Sequence, residues 1–200
     1  MAADRPVAIT LGTGDALIIV DVQNDFLPGG SLAVAAGDEV VPVLNHYVAA
    51  FSDRNLPVFA TRDWHPVNHS SFRQWGGPWP SHCVAGTRGA AFAAGLHLPA
   101  SARVVSKGTD RDKDAYSGFA GTDLDAQLRA ASVRRVFVGG LATDYCVLNT
   151  VSDALALGYE TFLLEDGVRA ADVSAGDGDR ALAQMRARGA RPLAREAIGA

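Results

Sequence analysis

The 200-residue chain contains only two cysteines, Cys83 and Cys146, too few and too far apart for the disulfide framework of a small secreted domain. Both are expected to be free thiols. Its 18 basic residues form no run and are outnumbered by 22 acidic ones, for a net charge of −4. No electrostatic footprint for nucleic acid or an anionic membrane results. No apolar stretch approaches the length that crosses a bilayer, and the start "MAADRPVAIT" has neither a basic region nor an apolar core. A cytoplasmic protein is expected. Internal repeats, low-complexity tracts and inter-domain linkers are also missing. The glycine-bearing "LGTGDAL" precedes the first apolar run instead of following it, which argues against a phosphate-cradling nucleotide turn. Small molecules are the expected partners, and a homo-oligomer is left open.

With 48% hydrophobic residues, the chain can bury one sizeable core. A single domain over 1–200 is expected, with a short flexible N-terminal stretch of about 1–14. Apolar, β-rich runs lie at 16–20, 57–60, 103–105, 135–138 and 161–164, with a weaker one at 191–194. Between them, Val40, Val43, Leu44, Tyr47, Val48 and Phe51 recur at helical spacing. "TDLDAQLRAA" opens on capping residues, and "DRALAQMRARG" ends in glycine. This alternation predicts an α/β fold: a three-layer sandwich around a mostly parallel six-stranded sheet, with helices on both faces. The stretch 62–99 is rich in Pro, Gly, Trp and His and has no clear period, as expected of a long functional loop.

The segment "GGLATDYCVLNT" places Cys146 in the first turn of a helix expected over 143–157. The apolar stripe of that helix is Val147, Leu148, Val151, Ala154 and Leu155. Cys146 shares a face with Asn149, Thr150 and Asp153, which predicts a thiol off the core face. A helix start also favours the thiolate. Asp21, Asp63 with His65, Lys107 and Cys146 all follow strand runs, so they are expected to meet at the carboxyl edge of the sheet, where open α/β sheets bind ligands.

A carboxylate beside a thiol can take its proton and return it to a leaving group, and an ammonium nearby favours both anions. Loop amides around Leu141, Ala142 and Cys146 could face a developing oxyanion. These groups suit acyl transfer through a thioester. A Cys–His pair is the alternative, since His46, His65, His69, His82 and His97 are available. Asp63-x-His65 offers an oxygen and a nitrogen on one side of an extended strand end, with His69 or His82 as further ligands. Such a set suits one divalent ion: Zn²⁺, Fe²⁺ or Mn²⁺.

The motifs "ALIIVDVQNDFLPGGSLAV", "ATRDWHPVNHSSF", "WPSHCVAGT", "SKGTDRDKDAYSGF" and "VGGLATDYCVLNT" occur in this order over about residues 15–195. Together they resemble the nicotinamidase/pyrazinamidase branch of the isochorismatase-like cysteine hydrolases. The resemblance implies a metal-dependent amidohydrolase that converts nicotinamide to nicotinate and ammonia in NAD salvage, with pyridine amides as substrates. It implies Cys146 as nucleophile, Asp21 as proton-transferring base and Lys107 as the third member of a triad. Asp63, His65 and His82 would be metal ligands, with His69 and Ser71 both arguable for a fourth position. Ala142 and Cys146 would form the oxyanion site, next to a Leu141–Ala142 bond that is cis in the family. Phe26, Trp79, Tyr116 and Leu141 would bind substrate. Cys83 is read as packing and "TDRDKD" at 109–114 as a solvated loop at the pocket entrance. Another branch, such as an isochorismatase or a carbamoyl-amide hydrolase, generally lacks the D-x-H…H set, and a non-catalytic binding protein on this scaffold would have a broken triad.

Overall fold

In strand β1, Asp15–Val20, every residue is buried, and alternate side chains enter two separate cores. Leu17 and Ile19 join one, while Ala16, Ile18 and Val20 join the other. A strand covered on both faces needs apolar residues at every position, and "ALIIV" supplies them. The computed structural model describes residues 9–199. The first eight residues of the expected 1–14 stretch lie outside the described residues; Ile9 bridges to Ile198, and Leu11 is buried.

Five further strands complete one all-parallel sheet: β2 Val58–Asp63, β3 Arg103–Lys107, β4 Arg135–Leu141, β5 Glu160–Arg169 and β6 Arg191–Leu193. Their spatial order is β3-β2-β1-β4-β5-β6. Helix α1, Val40–Ser52, packs Leu44, Tyr47, Val48 and Phe51 into one core with Phe137 and Phe162. Helices α2 Leu124–Ala130, α3 Leu148–Ala156 and α4 Asp177–Ala187 cover the opposite core with Val136 and Val138. The three layers are thus those expected from the alternation of periods.

From β1 the chain winds outward through β2 and β3, and from β4 it winds the other way through β5 and β6. The carboxyl ends of β1 and β4 therefore diverge at a topological switch point, where a crevice opens. Gly140 lets β4 pass there: it adopts φ +130°, and a Cβ on it would lie 2.1 Å from the Val20 carbonyl oxygen.

Two elements differ from expectation. Strand β5 continues past 164 to Arg169, and its ladder with β4 shifts register between Val138 and Gly140. The helix expected from 143 begins as a π turn, Thr143–Val147, before α3 proper. Between β2 and β3 the chain has only one 3-10 turn, Arg73–Trp75, and is tied down by bridges His65 to Val84 and Phe72 to Trp79.

Candidate active site

Asp21 directly follows β1, Lys107 ends β3, and Cys146 lies in the π turn after β4. The sheet brings these residues, distant in sequence, into one buried cluster. Lys107 Nζ lies 2.7 Å from Asp21 Oδ2 and donates to Cys146 Sγ at 3.4 Å and to the Asp63 carboxylate. Asp21 Oδ1 accepts the Thr61 hydroxyl at 2.6 Å. Beyond its ion pair with Lys107, Asp21 Oδ2 has no further hydrogen-bond partner among the described residues, so this buried oxygen retains acceptor capacity. Asp21, Asp63 and Cys146 offer ligand-type atoms within 4.8 Å of one another. No histidine among the described residues hydrogen-bonds Cys146.

Burial acts on all four groups. It pushes the Asp21 carboxyl up, against the pull of Lys107. Burial alone would also raise Asp63, but Lys107 and His65 outweigh it and hold Asp63 well below the usual carboxylate range. For Lys107, burial opposes the ammonium, yet Asp21 and Asp63 prevail and hold it cationic far above its usual range.

Two expectations for Cys146 are corrected. Its side is not off the core: Cys146 is only 6% exposed and Thr150 fully buried, because the π turn and α3 press this face against the sheet and the Gly118 loop. Nor does the helix start yield a resting thiolate. Burial pushes the thiol well above its usual range, with Lys107 opposing and Asp21 and Asp63 reinforcing.

Gln23 holds Asp63 in place from both sides of its backbone. Its Nε2 donates to the carbonyls of Asp63 and Ala90 at 2.8 and 2.9 Å, and its Oε1 accepts the Asp63 N–H at 2.8 Å. His65 Nδ1 donates to the Gly108 carbonyl at 2.9 Å and His82 Nδ1 to the Pro80 carbonyl at 2.8 Å. A carbonyl only accepts, so in both rings Nδ1 carries a hydrogen and Nε2 is the nitrogen not engaged by that bond. Burial also holds His82 below the usual imidazole range. His65 Nε2 lies 3.6 Å from Asp63 Oδ2, and ligand atoms of Asp63, His65 and His82 fall within 4.8 Å of one another. One oxygen and two imidazole nitrogens with carbonyl-anchored far sides fit a divalent metal.

Between the two residues arguable for a fourth position, the structure separates roles. His69 spends Nδ1 on the Ser71 hydroxyl at 2.7 Å and Nε2 on the Lys113 carbonyl at 3.2 Å, whereas Ser71 lines the cavity.

The cavity holds about 150 Å³, room for one six-membered ring. Cys146, Asp63, His65 and His82 line it, together with Ala142. Its aromatic walls include Phe26, Trp79 and Tyr116, as expected, and also Tyr145. Trp79 Nε1 donates to the Tyr116 hydroxyl at 2.9 Å, and Tyr145 meets Trp79 edge-on at 5.1 Å, so the walls brace one another. Leu141 departs from expectation: its side chain is fully buried in the α1-side core, where it packs under Gly37, and it does not line the cavity. The Leu141–Ala142 peptide is cis.

Sequence reasoning missed Gln23, Asp25 and Tyr145. Asp25 accepts the N–H groups of Cys83 at 2.7 Å and Ser31 at 3.3 Å, fixing the chain beside His82. Cys83 itself is fully buried, consistent with packing. The 109–114 stretch is exposed throughout, and its last residue, Asp114, also lines the cavity, so the loop does shape the entrance.

The isochorismatase domain family matches residues 15–197. The nicotinamidase of Escherichia coli (strain K12) is 40% identical over 196 residues, covering 88% of this chain and 92% of that protein. The pyrazinamidase of Pyrococcus horikoshii, solved in complex with zinc, superimposes with a TM-score of 0.87 at 49% identity, covering 90% of this chain and 99% of that one. PnC1 from L. infantum, solved in complex with nicotinate, gives 0.88 at 38% identity over 96% and 99% of the two chains. No helix among the described residues is long and apolar enough to cross a membrane. By a match that spans nearly its whole length, the chain belongs to the isochorismatase family.

Proposed function

We propose that this protein is a nicotinamidase: a single-domain amidohydrolase that converts nicotinamide, and pyrazinamide-type analogues, to the acid and ammonia within NAD salvage. The carrying observation is that Cys146 faces a ring-sized aromatic cavity while resting on a buried Asp21–Lys107 ion pair. The names of the relatives support the same substrate class.

The pyridine ring stacks among Phe26, Trp79 and Tyr116, which brings the amide carbon to Cys146 Sγ. Asp21 takes the thiol proton as the S–C bond forms. Backbone N–H groups of Ala142 and Cys146 receive the charge that develops on the carbonyl oxygen. Asp21 then gives its proton to the amide nitrogen, the C–N bond breaks and ammonia leaves. A water molecule loses a proton to Asp21 and attacks the thioester; the C–S bond breaks, the proton returns to sulfur and nicotinate departs. Lys107 keeps Asp21 anionic and in place between these transfers, and stabilises negative charge on sulfur.

Asp63, His65 and His82 would hold a divalent ion, with Ser71 as the adjoining oxygen donor and His69 accepting the Ser71 proton. The ion, for which zinc is our assignment and Fe²⁺ or Mn²⁺ suit the same donors, supplies a Lewis-acidic position for a ring nitrogen or water. The test is release of ammonia and nicotinate from nicotinamide by purified protein of measured metal content. Stoichiometric formation of both is expected, and no product from metal-loaded protein would refute the assignment.

A further inference from the structure

Asp144 lies two residues before Cys146, in the same π turn, but takes no part in the thiol cluster. Its two carboxylate oxygens accept the backbone N–H groups of Ala171 at 2.8 Å and Asp172 at 2.9 Å. These residues belong to the segment that joins β5 to α4, where Ala171 and Val173 line the cavity and Val173 is 64% exposed. Asp172 adopts the left-handed φ of +48°, and its own Oδ1 accepts the Gly178 N–H at 2.8 Å. Asp177 Oδ2 accepts the Ser174 N–H at 2.8 Å. The segment is thus pinned to α4 at one end and to the nucleophile's turn at the other, and among the described residues only Asp144 makes the second connection by side-chain hydrogen bonds.

We propose that Asp144 is a positioning and specificity-determining residue: its carboxylate locks the Ala171–Val173 wall to the turn that carries Cys146. This rests on the amidase reading above. The lock fixes the width of the ring pocket, so that an unsubstituted ring is enclosed against the thiol and a ring with an added substituent is excluded. A carboxylate is the matching group because two convergent N–H donors need two acceptor oxygens. Asparagine keeps one acceptor and sets its own NH₂ against the second donor. A purely structural alternative is that Asp144 serves only the positive end of the helix it begins. That role would leave the wall in place whatever the substrate.

The test compares wild type, Asp144→Asn and Asp144→Ala by kinetics on nicotinamide and 5-methylnicotinamide, and by amide hydrogen exchange. With the lock removed in Asp144→Ala, KM for nicotinamide should rise by about tenfold with kcat changed far less. The kcat/KM ratio of 5-methylnicotinamide to nicotinamide should also rise by about tenfold, and Asp144→Asn should lie between. Exchange at Ala171 and Asp172 should quicken while the amides of α4 stay protected. Equal losses on both substrates, or unchanged exchange at 171–172 in both variants, would overturn the proposal. If wild type hydrolyses neither amide, the amidase reading fails, and the exchange measurement alone then decides whether Asp144 holds the wall.

Discussion

Lys107 and Asp21 face each other at 2.7 Å with neither side chain exposed to solvent. Such a pair, once formed, cannot lose one member cheaply, because the survivor is left charged where water does not reach it. Lys107→Met should therefore destabilise the fold by about 3–5 kcal/mol in denaturant titration, and should abolish turnover. A variant of near wild-type stability would show that the pair is not buried in solution.

Asp21→Asn should lower kcat by at least about 10²-fold, since an amide can neither accept nor return the proton. The pH profile carries the same logic. Burial raises the Asp21 carboxyl, so it holds its proton to higher pH than a free carboxylate, and the working form is the anion. The acid limb of kcat/KM should accordingly have its midpoint above about 4. A midpoint below that would place the base elsewhere.

Cys146→Ala should leave a folded, metal-competent protein without turnover. Because Cys146 is 6% exposed and packs in the core beside α3, the stability loss should be about 1 kcal/mol. Denaturant midpoints and metal analysis, read beside ammonia release, check all three parts.

Removing divalent metal with a chelator should lower activity, and adding back zinc should restore it. Asp63→Ala and His82→Ala should mimic chelation in both metal content and rate. Gln23→Ala should weaken metal binding in part, since it removes the three hydrogen bonds that set Asp63 and its neighbours without removing a ligand. Benzamide, which has the ring but no ring nitrogen, should be hydrolysed far less efficiently than nicotinamide, by a factor on the order of 10⁴ in kcat/KM. Comparable values in the metal-loaded enzyme would remove the ring nitrogen from recognition.

Much of this was legible in the sequence for a physical reason. A strand buried on both faces must be continuously apolar, so "ALIIV" and "RVFV" announced themselves. The residue that ends each run then marked the carboxyl edge, where Asp21, Asp63, Lys107 and Cys146 meet. What could not be read depended on turns. The π turn at 143–147 has no period-based signature, and it rotates Cys146 and Thr150 into the core, so the thiol's environment was misjudged. Leu141 sits one residue before a change of direction, and its side chain falls on the core side, away from the cavity. Gln23, Asp25 and Asp144 act through backbone N–H and C=O groups of loops remote in sequence, and no spacing rule reveals such partners.

The thioester route is tested most directly by trapping with hydroxylamine during nicotinamide turnover. If Cys146 holds the acyl group, hydroxylamine should divert it to the hydroxamate, nicotinate should fall by the amount of hydroxamate formed, and Cys146→Ala should give neither product. Undiminished nicotinate at saturating hydroxylamine, together with ammonia release by Cys146→Ala, would contradict the covalent mechanism.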